Sequence, residues 1–121
     1  MRVVPRVERG EQINAGVILY CRQRDFLAAR VALDDSRLRA LDADVSAQDV
    51  REHLDAIVRV AKGDPAAGPI ASMPFSERFG WLVAPSSTVI QTSEVHTGLT
   101  ADPGKTLEAL FGELVEPVAR A

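Results

Sequence analysis

Residues 9–21 read Arg-Gly-Glu-Gln-Ile-Asn-Ala-Gly-Val-Ile-Leu-Tyr-Cys. A charged turn (Arg9, Gly10, Glu11) passes through Asn14 and Gly16 into an unbroken apolar run that ends at Cys21. Apolar residues without alternation over 15–21 are the pattern of a central strand covered on both faces, with its polar mouth at one rim of a sheet. Four polar residues, 22–25, interrupt the pattern, and 26–33 resumes it as a second strand. There Leu27, Ala29, Val31 and Leu33 share one face and Arg30 takes the other. So short a connection permits an antiparallel hairpin and no parallel crossover. Upstream, 3–7 reads as extended, with Pro5 suited to an edge or a strand start because it lacks a ladder donor.

Helical signals follow the hairpin. Asp34, Asp35 and Ser36 can cap a short helix reaching Leu41. Ser46 with Asp49 three residues later resembles a capping box. Beyond it Val50, Leu54, Ile57, Val58 and Ala61 recur at helical spacing, opposite Arg51, Glu52, Asp55, Arg59 and Lys62. Gly63 is placed to stop that helix, and Asp64-Pro65 prevents its continuation. Residues 63–74 are rich in glycine and proline and read as a loop crossing the molecule. Two further strands are expected at 79–84 and 88–92, joined by the polar turn Pro85-Ser86-Ser87. A last helix opens at Asp102-Pro103, carries the stripe Leu107, Leu110, Phe111, Leu114, and ends at Pro117. The expected architecture is α+β: a mainly antiparallel sheet of about five strands packed against two or three helices.

A chain of 121 residues with 46% hydrophobic content is expected to form a single domain spanning 1–121. Aromatic residues make up only 5%, so aliphatic side chains must fill most of the core. Fourteen basic residues against seventeen acidic give a net charge of −3, which argues against a nonspecific nucleic-acid binder. The one cysteine, Cys21, excludes an internal disulfide and any multi-cysteine zinc site, and its position predicts a small buried hydrophobe. No metal site and no cofactor signature is visible. No apolar run approaches the roughly 20 residues needed to cross a membrane, and no signal-peptide stretch is present, so a cytoplasmic protein is expected.

Three polar clusters are candidates for chemistry. The first is Arg9, Glu11 and Asn14. Arginine offers a planar fork for a carboxylate or phosphate, glutamate an acceptor or base, and asparagine both a donor and an acceptor. The competing reading is local: Arg9 and Glu11 pair with neighbours and Asn14 holds a bulge or turn before Gly16. Two glycines so near each other also suggest a close approach to the backbone. The second cluster is Ser76, Glu77 and Arg78, just before Phe79-Gly80-Trp81. Trp81 beside an arginine suits stacking on a planar ligand or a partner hot spot, or else it anchors the core.

The third cluster runs from Ser86 through Thr92 to His96 and Gly98. Its hydroxyls and turn amides suit an oxyanion, and histidine is the residue type able to exchange a proton near neutrality. Hydroxyl-rich wet faces of sheets are the plain alternative, and a lone histidine lacks the partner that catalysis needs. Gly104-Lys105-Thr106 is not a phosphate-binding loop: five residues, not four, separate Gly98 from Gly104.

Four segments carry a resemblance. They are Arg9-Gly-Glu-x-x-Asn14-x-Gly-Val-Ile-Leu, Phe26-Leu-x-Ala-Arg30, Ser76-Glu-Arg-Phe, and Ser87-Thr-Val-Ile-Gln91-Thr-Ser-x-Val-His96-Thr-Gly98. Together they resemble a bacterial family described as domain of unknown function 3037. The resemblance implies cytosolic proteins without an established activity, whose genes often lie beside HipA-like serine/threonine kinases. It also implies relatives that begin several residues earlier, so the first strand of this chain is expected to be short. It lends no catalytic residues. Two functions are therefore expected. One is an accessory or interaction module, with a HipA-like kinase as partner. The other is a small enzyme or sensor for a phosphorylated or nucleotide-like ligand, held by Arg9 and Arg78 with Glu11 or His96 moving protons. A homodimer through an exposed strand edge or the last helix is open in either case.

Overall fold

The computed structural model describes residues 1–84 and 88–117. Its strongest element is the hairpin β3 (Gly16–Cys21) and β4 (Phe26–Val31), antiparallel with Gly16 opposite Val31 and Cys21 opposite Phe26. The polar break between them is a 3-10 turn, Arg22–Arg24, closed by Asp25 at φ 48°. Alternation sorts the hairpin side chains into two faces. Val17, Leu19, Phe26 and Ala28 meet Leu107, Leu110, Phe111 and Val115 on one side. Ile18, Tyr20, Leu27 and Ala29 meet Ile57, Val60, Ala61, Phe79 and Leu82 on the other. The expectation of a strand covered on both faces holds, although its covers are helices around a two-stranded ribbon.

The remaining strands form a second, smaller sheet. β1 (Arg2–Val3) lies between β2 (Ile13–Asn14) and β5 (Ile90–Gln91), antiparallel to both. Ala15 joins the two sheets: its N–H donates to the Met1 carbonyl at 2.9 Å, and its carbonyl accepts from Ala32 N at 2.8 Å. Among the described residues there are thus five antiparallel strands, in sheets of three and two. Gly16 sits at the same crossing. A methyl group there would lie 2.5 Å from the Met1 side chain and 2.8 Å from the Arg30 carbonyl. The close approach suggested by the paired glycines is made by the chain itself.

Among the described residues four α-helices complete the fold. α1 (Asp35–Leu41) is capped by Asp34, whose carboxylate accepts from Ser36 N and Arg37 N. α2 (Ala47–Lys62) starts at Ser46, which accepts from Asp49 N, and stops at Gly63 with φ 78°. α4 (Pro103–Leu114) is capped by Asp102 through Lys105 N. All three begin where the sequence places them, because each cap is a local contact between residues two or three apart. α1 and the first half of α2 close over the small sheet, burying Val3, Ile13, Ala15, Leu38, Val50 and Leu54 together. Each such aliphatic side chain contributes about 1.5–3 kcal/mol by leaving water. Across the hairpin, Arg30 stacks over the Phe111 ring at 4.5 Å and pairs with Glu108 at 3.1 Å, fixing α4 to β4.

Several expectations are corrected. The strand expected at 79–84 is the end of a helix, α3 (Phe75–Leu82). Phe75, Arg78, Phe79 and Leu82 fall at i, i+3, i+4 and i+7, one helical stripe, whereas the run read from Phe79 onward looks like β structure. The second of those strands shrinks to Ile90–Gln91 and pairs with β1, at the far end of the chain. The turn expected at 85–87 lies outside the described residues. The first extended segment stops at Val3, and a 3-10 turn occupies Val7–Arg9. Residues 63–74 are not unstructured: they hold 3-10 turns at Pro65–Ala67 and Pro69–Ser72. On α4, Leu114 is exposed and Val115 is buried in its place, while Cys21 is half-buried.

Gly63 carries both a positive φ and a crowded surround, since a methyl group there would lie 2.6 Å from Nη1 of Arg78. Gly63→Ala is expected to destabilise the fold by about 1–2 kcal/mol in urea unfolding. Gly98→Ala, with nothing within 4 Å of the added carbon, should stay within about 0.5 kcal/mol of wild type.

A pH dependence follows from α1. The Arg37 N–H and the Ser36 side chain hold the Asp34 carboxyl below its ordinary value, and a hydrogen bond from Arg51 does the same for Asp35. Carboxyls depressed in the folded state stabilise it above their unfolded pKa, and that stability is lost as pH falls through the folded values. The urea midpoint should therefore drop as pH falls through and below the ordinary carboxylate range, and Asp34→Asn with Asp35→Asn should flatten the drop. An unchanged slope in the double variant would show that these two groups are not its source.

Candidate functional site

The three polar clusters meet different fates. Arg9 and Glu11 pair with each other at 2.5 Å, both largely exposed, on the far side of the αL residue Gly10. Asn14 donates through Nδ2 to the Leu114 carbonyl at 2.9 Å. That carbonyl belongs to the last turn of α4, where the helix offers it no donor. Asn14 thus ties the second strand to the end of the last helix across a hundred residues of sequence, a role neither reading of its neighbourhood anticipates. Thr92 donates its hydroxyl to the Val83 carbonyl at 3.2 Å, pinning the segment after β5 to the end of α3. Glu77 is exposed in the first turn of α3, where a negative charge suits the helix dipole. Trp81 lies off the buried stripe of that helix and is half-exposed, so it does not anchor the core.

His96 belongs to a fully exposed stretch, residues 94–99. Among the described residues no backbone–backbone hydrogen bond involves 93–101, and Leu99 projects wholly into solvent. Among the described residues no carboxylate is paired with His96.

Arg78 behaves unlike the rest. It is 7% exposed, the one buried charged residue among those described. Nη1 donates to the Ala71 carbonyl at 3.0 Å, and the guanidinium lies 4.6 Å from the Phe75 ring centroid. Nε and Nη2 are buried without an acceptor. No ion pair among the described residues includes Arg78. An open groove of about 480 Å³ adjoins it, lined also by Tyr20, Arg22, Asp25, Phe75 and Ser76. Of the three polar clusters only the second reaches that groove, through Ser76 and Arg78. A second depression, of about 430 Å³, follows Glu52, Asp55 and Arg59 along the wet face of α2 and draws on none of the candidates.

Burial of Arg78 is the feature that sequence reading missed. A charged residue between Glu77 and Phe79 reads as surface, and only the stripe beginning at Phe75 could have signalled otherwise. Among the described residues no three His, Cys, Asp or Glu side chains are grouped to share a metal ion. No helix among the described residues is long and apolar enough to cross a membrane.

Neither a curated protein nor a solved structure matches the chain. A family model does match it, over residues 1–115, which takes in the hairpin, all four helices, the groove beside Arg78 and the exposed segment carrying His96. The chain therefore belongs to the family described as protein of unknown function (DUF3037).

Proposed function

We propose that this chain is an accessory module that docks on a protein partner through residues 94–99. The observation that carries this reading is the complete exposure of Leu99 on a segment that makes no backbone–backbone hydrogen bond among the described residues. Single exposed apolar side chains are ordinary on a protein surface. Here the pattern adds to the exposure. Val95, Thr97 and Leu99 alternate with Glu94, His96 and Gly98, the period of a half-buried strand. Val95 is 54% exposed, so among the described residues neither apolar side chain on that face is buried. A strand pattern with unpaired amides and an uncovered apolar face is suited to strand addition, where a partner's open sheet edge supplies the missing ladder and a groove for alternate side chains.

The start of the segment is held in place by the Thr92 bond to Val83, so docking would order few residues afresh. Trp81, half-exposed on the helix that ends at that point, supplies an aromatic anchor of the kind enriched in hot spots. That no carboxylate among the described residues pairs with His96 favours this reading over a small enzyme. A HipA-like serine/threonine kinase encoded nearby is the first partner to test, on the strength of the family resemblance alone.

Leu99→Asp and Val95→Asp should each weaken binding to that kinase by tenfold or more in calorimetric titration. Both should leave the thermal midpoint unchanged, because neither side chain is part of a core. Wild-type affinity in both variants would remove this surface from consideration. Failure of the wild-type chain to bind any neighbouring gene product at about 10 μM would remove the proposed function itself. Light scattering on the chain alone reports whether a second copy takes the partner's place.

A further inference from the structure

We infer that the groove between the β3–β4 turn and the start of α3 is an oxyanion site, with Arg78 as its base and Arg22 at its rim. This inference is independent of the docking surface and rests on different residues. An arginine side chain keeps its charge at any physiological pH, so burial cannot be relieved by losing the proton. Burying a guanidinium with donors unpaired is costly, and such a group normally has a carboxylate or other acceptor against it. Arg78 has one acceptor, the Ala71 carbonyl, and it occupies Nη1. The two nitrogens left over, Nε and Nη2, form one edge of the planar fork, the edge that receives the two oxygens of a carboxylate or phosphate side-on.

The groove beside Arg78 favours an anion in a second way. α3 begins at Pro74, which offers no side-chain cap, and its first intrahelical bond is Arg78 N to the Pro74 carbonyl. Among the described residues the N–H groups of Phe75, Ser76 and Glu77 have no acceptor, at the end of the helix where the dipole favours negative charge. Arg22, exposed on the 3-10 turn between β3 and β4, faces the same groove, and Ser76 and Tyr20 bring hydroxyl donors. One carboxylate, Asp25, also lines it. Against two guanidiniums and a free helix start, it leaves the balance cationic. Phe75 and Tyr20 add aromatic faces, so the ligand class is a small oxyanion, phosphate or carboxylate, carried on a planar group.

Nε and Nη2 are closed to solvent in this conformation. Occupancy thus requires a rim side chain to swing aside, and Met73, exposed and unbranched, is able to do so. Gly63 fits the same picture. Its missing side chain is what lets Nη1 approach the backbone and hold the fork in one orientation.

The test uses the full chain with inorganic phosphate, phenyl phosphate and benzoate as probes, followed by calorimetry and by the Nε–H resonance of Arg78. At least one aromatic probe should bind with a dissociation constant of about 1 mM or tighter and move that resonance. Tighter binding of phenyl phosphate than of benzoate assigns the site to phosphoryl ligands, and the reverse order assigns it to carboxylates. Arg22→Ala, an exposed change that leaves the core intact, should weaken binding tenfold or more. Arg78→Lys, which keeps the charge and loses the fork, should abolish it with the helical circular dichroism retained. Leu99→Asp should have no effect. The inference is overturned if none of the three probes binds at about 10 mM, or if binding survives Arg22→Ala unchanged. Binding that leaves the Arg78 resonance where it was overturns it as well.

Discussion

A two-stranded ribbon does not hold itself together in water, and the β3–β4 hairpin is such a ribbon. Everything else in the molecule is arranged around supplying its two missing covers. α4 closes one face through Leu107, Phe111 and Val115, and α2 with α3 closes the other through Val60, Ala61 and Leu82. The apolar run that opens at Gly16 has no polar alternation because neither face of the strand is wet. The same demand explains why α4 is capped at its start and tied back at its finish. Asp102 caps its start, and Asn14 satisfies a carbonyl at its finish.

The small sheet has a different logic. Its three strands are two residues each, too short to be stable alone, and they persist because Val3 and Ile13 are packed under Leu38, Val50 and Leu54. Ala15 and Gly16 bind this sheet to the hairpin by backbone hydrogen bonds and by an approach that leaves no space for a side chain at Gly16. The family motif around Arg9, Asn14 and Gly16 is thereby accounted for mostly as architecture: an exposed ion pair, a helix tie and a backbone crossing. What the architecture does not use are two features on separate parts of the molecule. One is the uncovered strand-like segment 94–99. The other is the half-satisfied guanidinium of Arg78, which costs stability where it stands and so invites a ligand as its explanation.

Much of the fold was legible because its signals are local. Caps at Asp34, Ser46 and Asp102 and the stop at Gly63 involve residues a few positions apart, and the hairpin is forced by a four-residue connection. α3 was not legible in the same way. Its core stripe contains an arginine, its sequence contains Gly80, and its second half is rich in residues that favour strands. Of the candidate site, the residue types were visible but their company was not. Arg78 looked like a surface charge paired in purpose with Trp81, and the helix instead turns one inward and the other outward.

Composition and pattern determined on their own that this chain is α+β, that its sheet is antiparallel, and that three of its helices start where they do. Those properties depend on side-chain period and on contacts within a turn or two. Only tertiary packing decided that β5 would pair with β1, that Asn14 would serve α4, and that Arg78 would lose its solvent. Each of those joins residues far apart in the chain, and each outcome was set by which surfaces the hairpin needed covered.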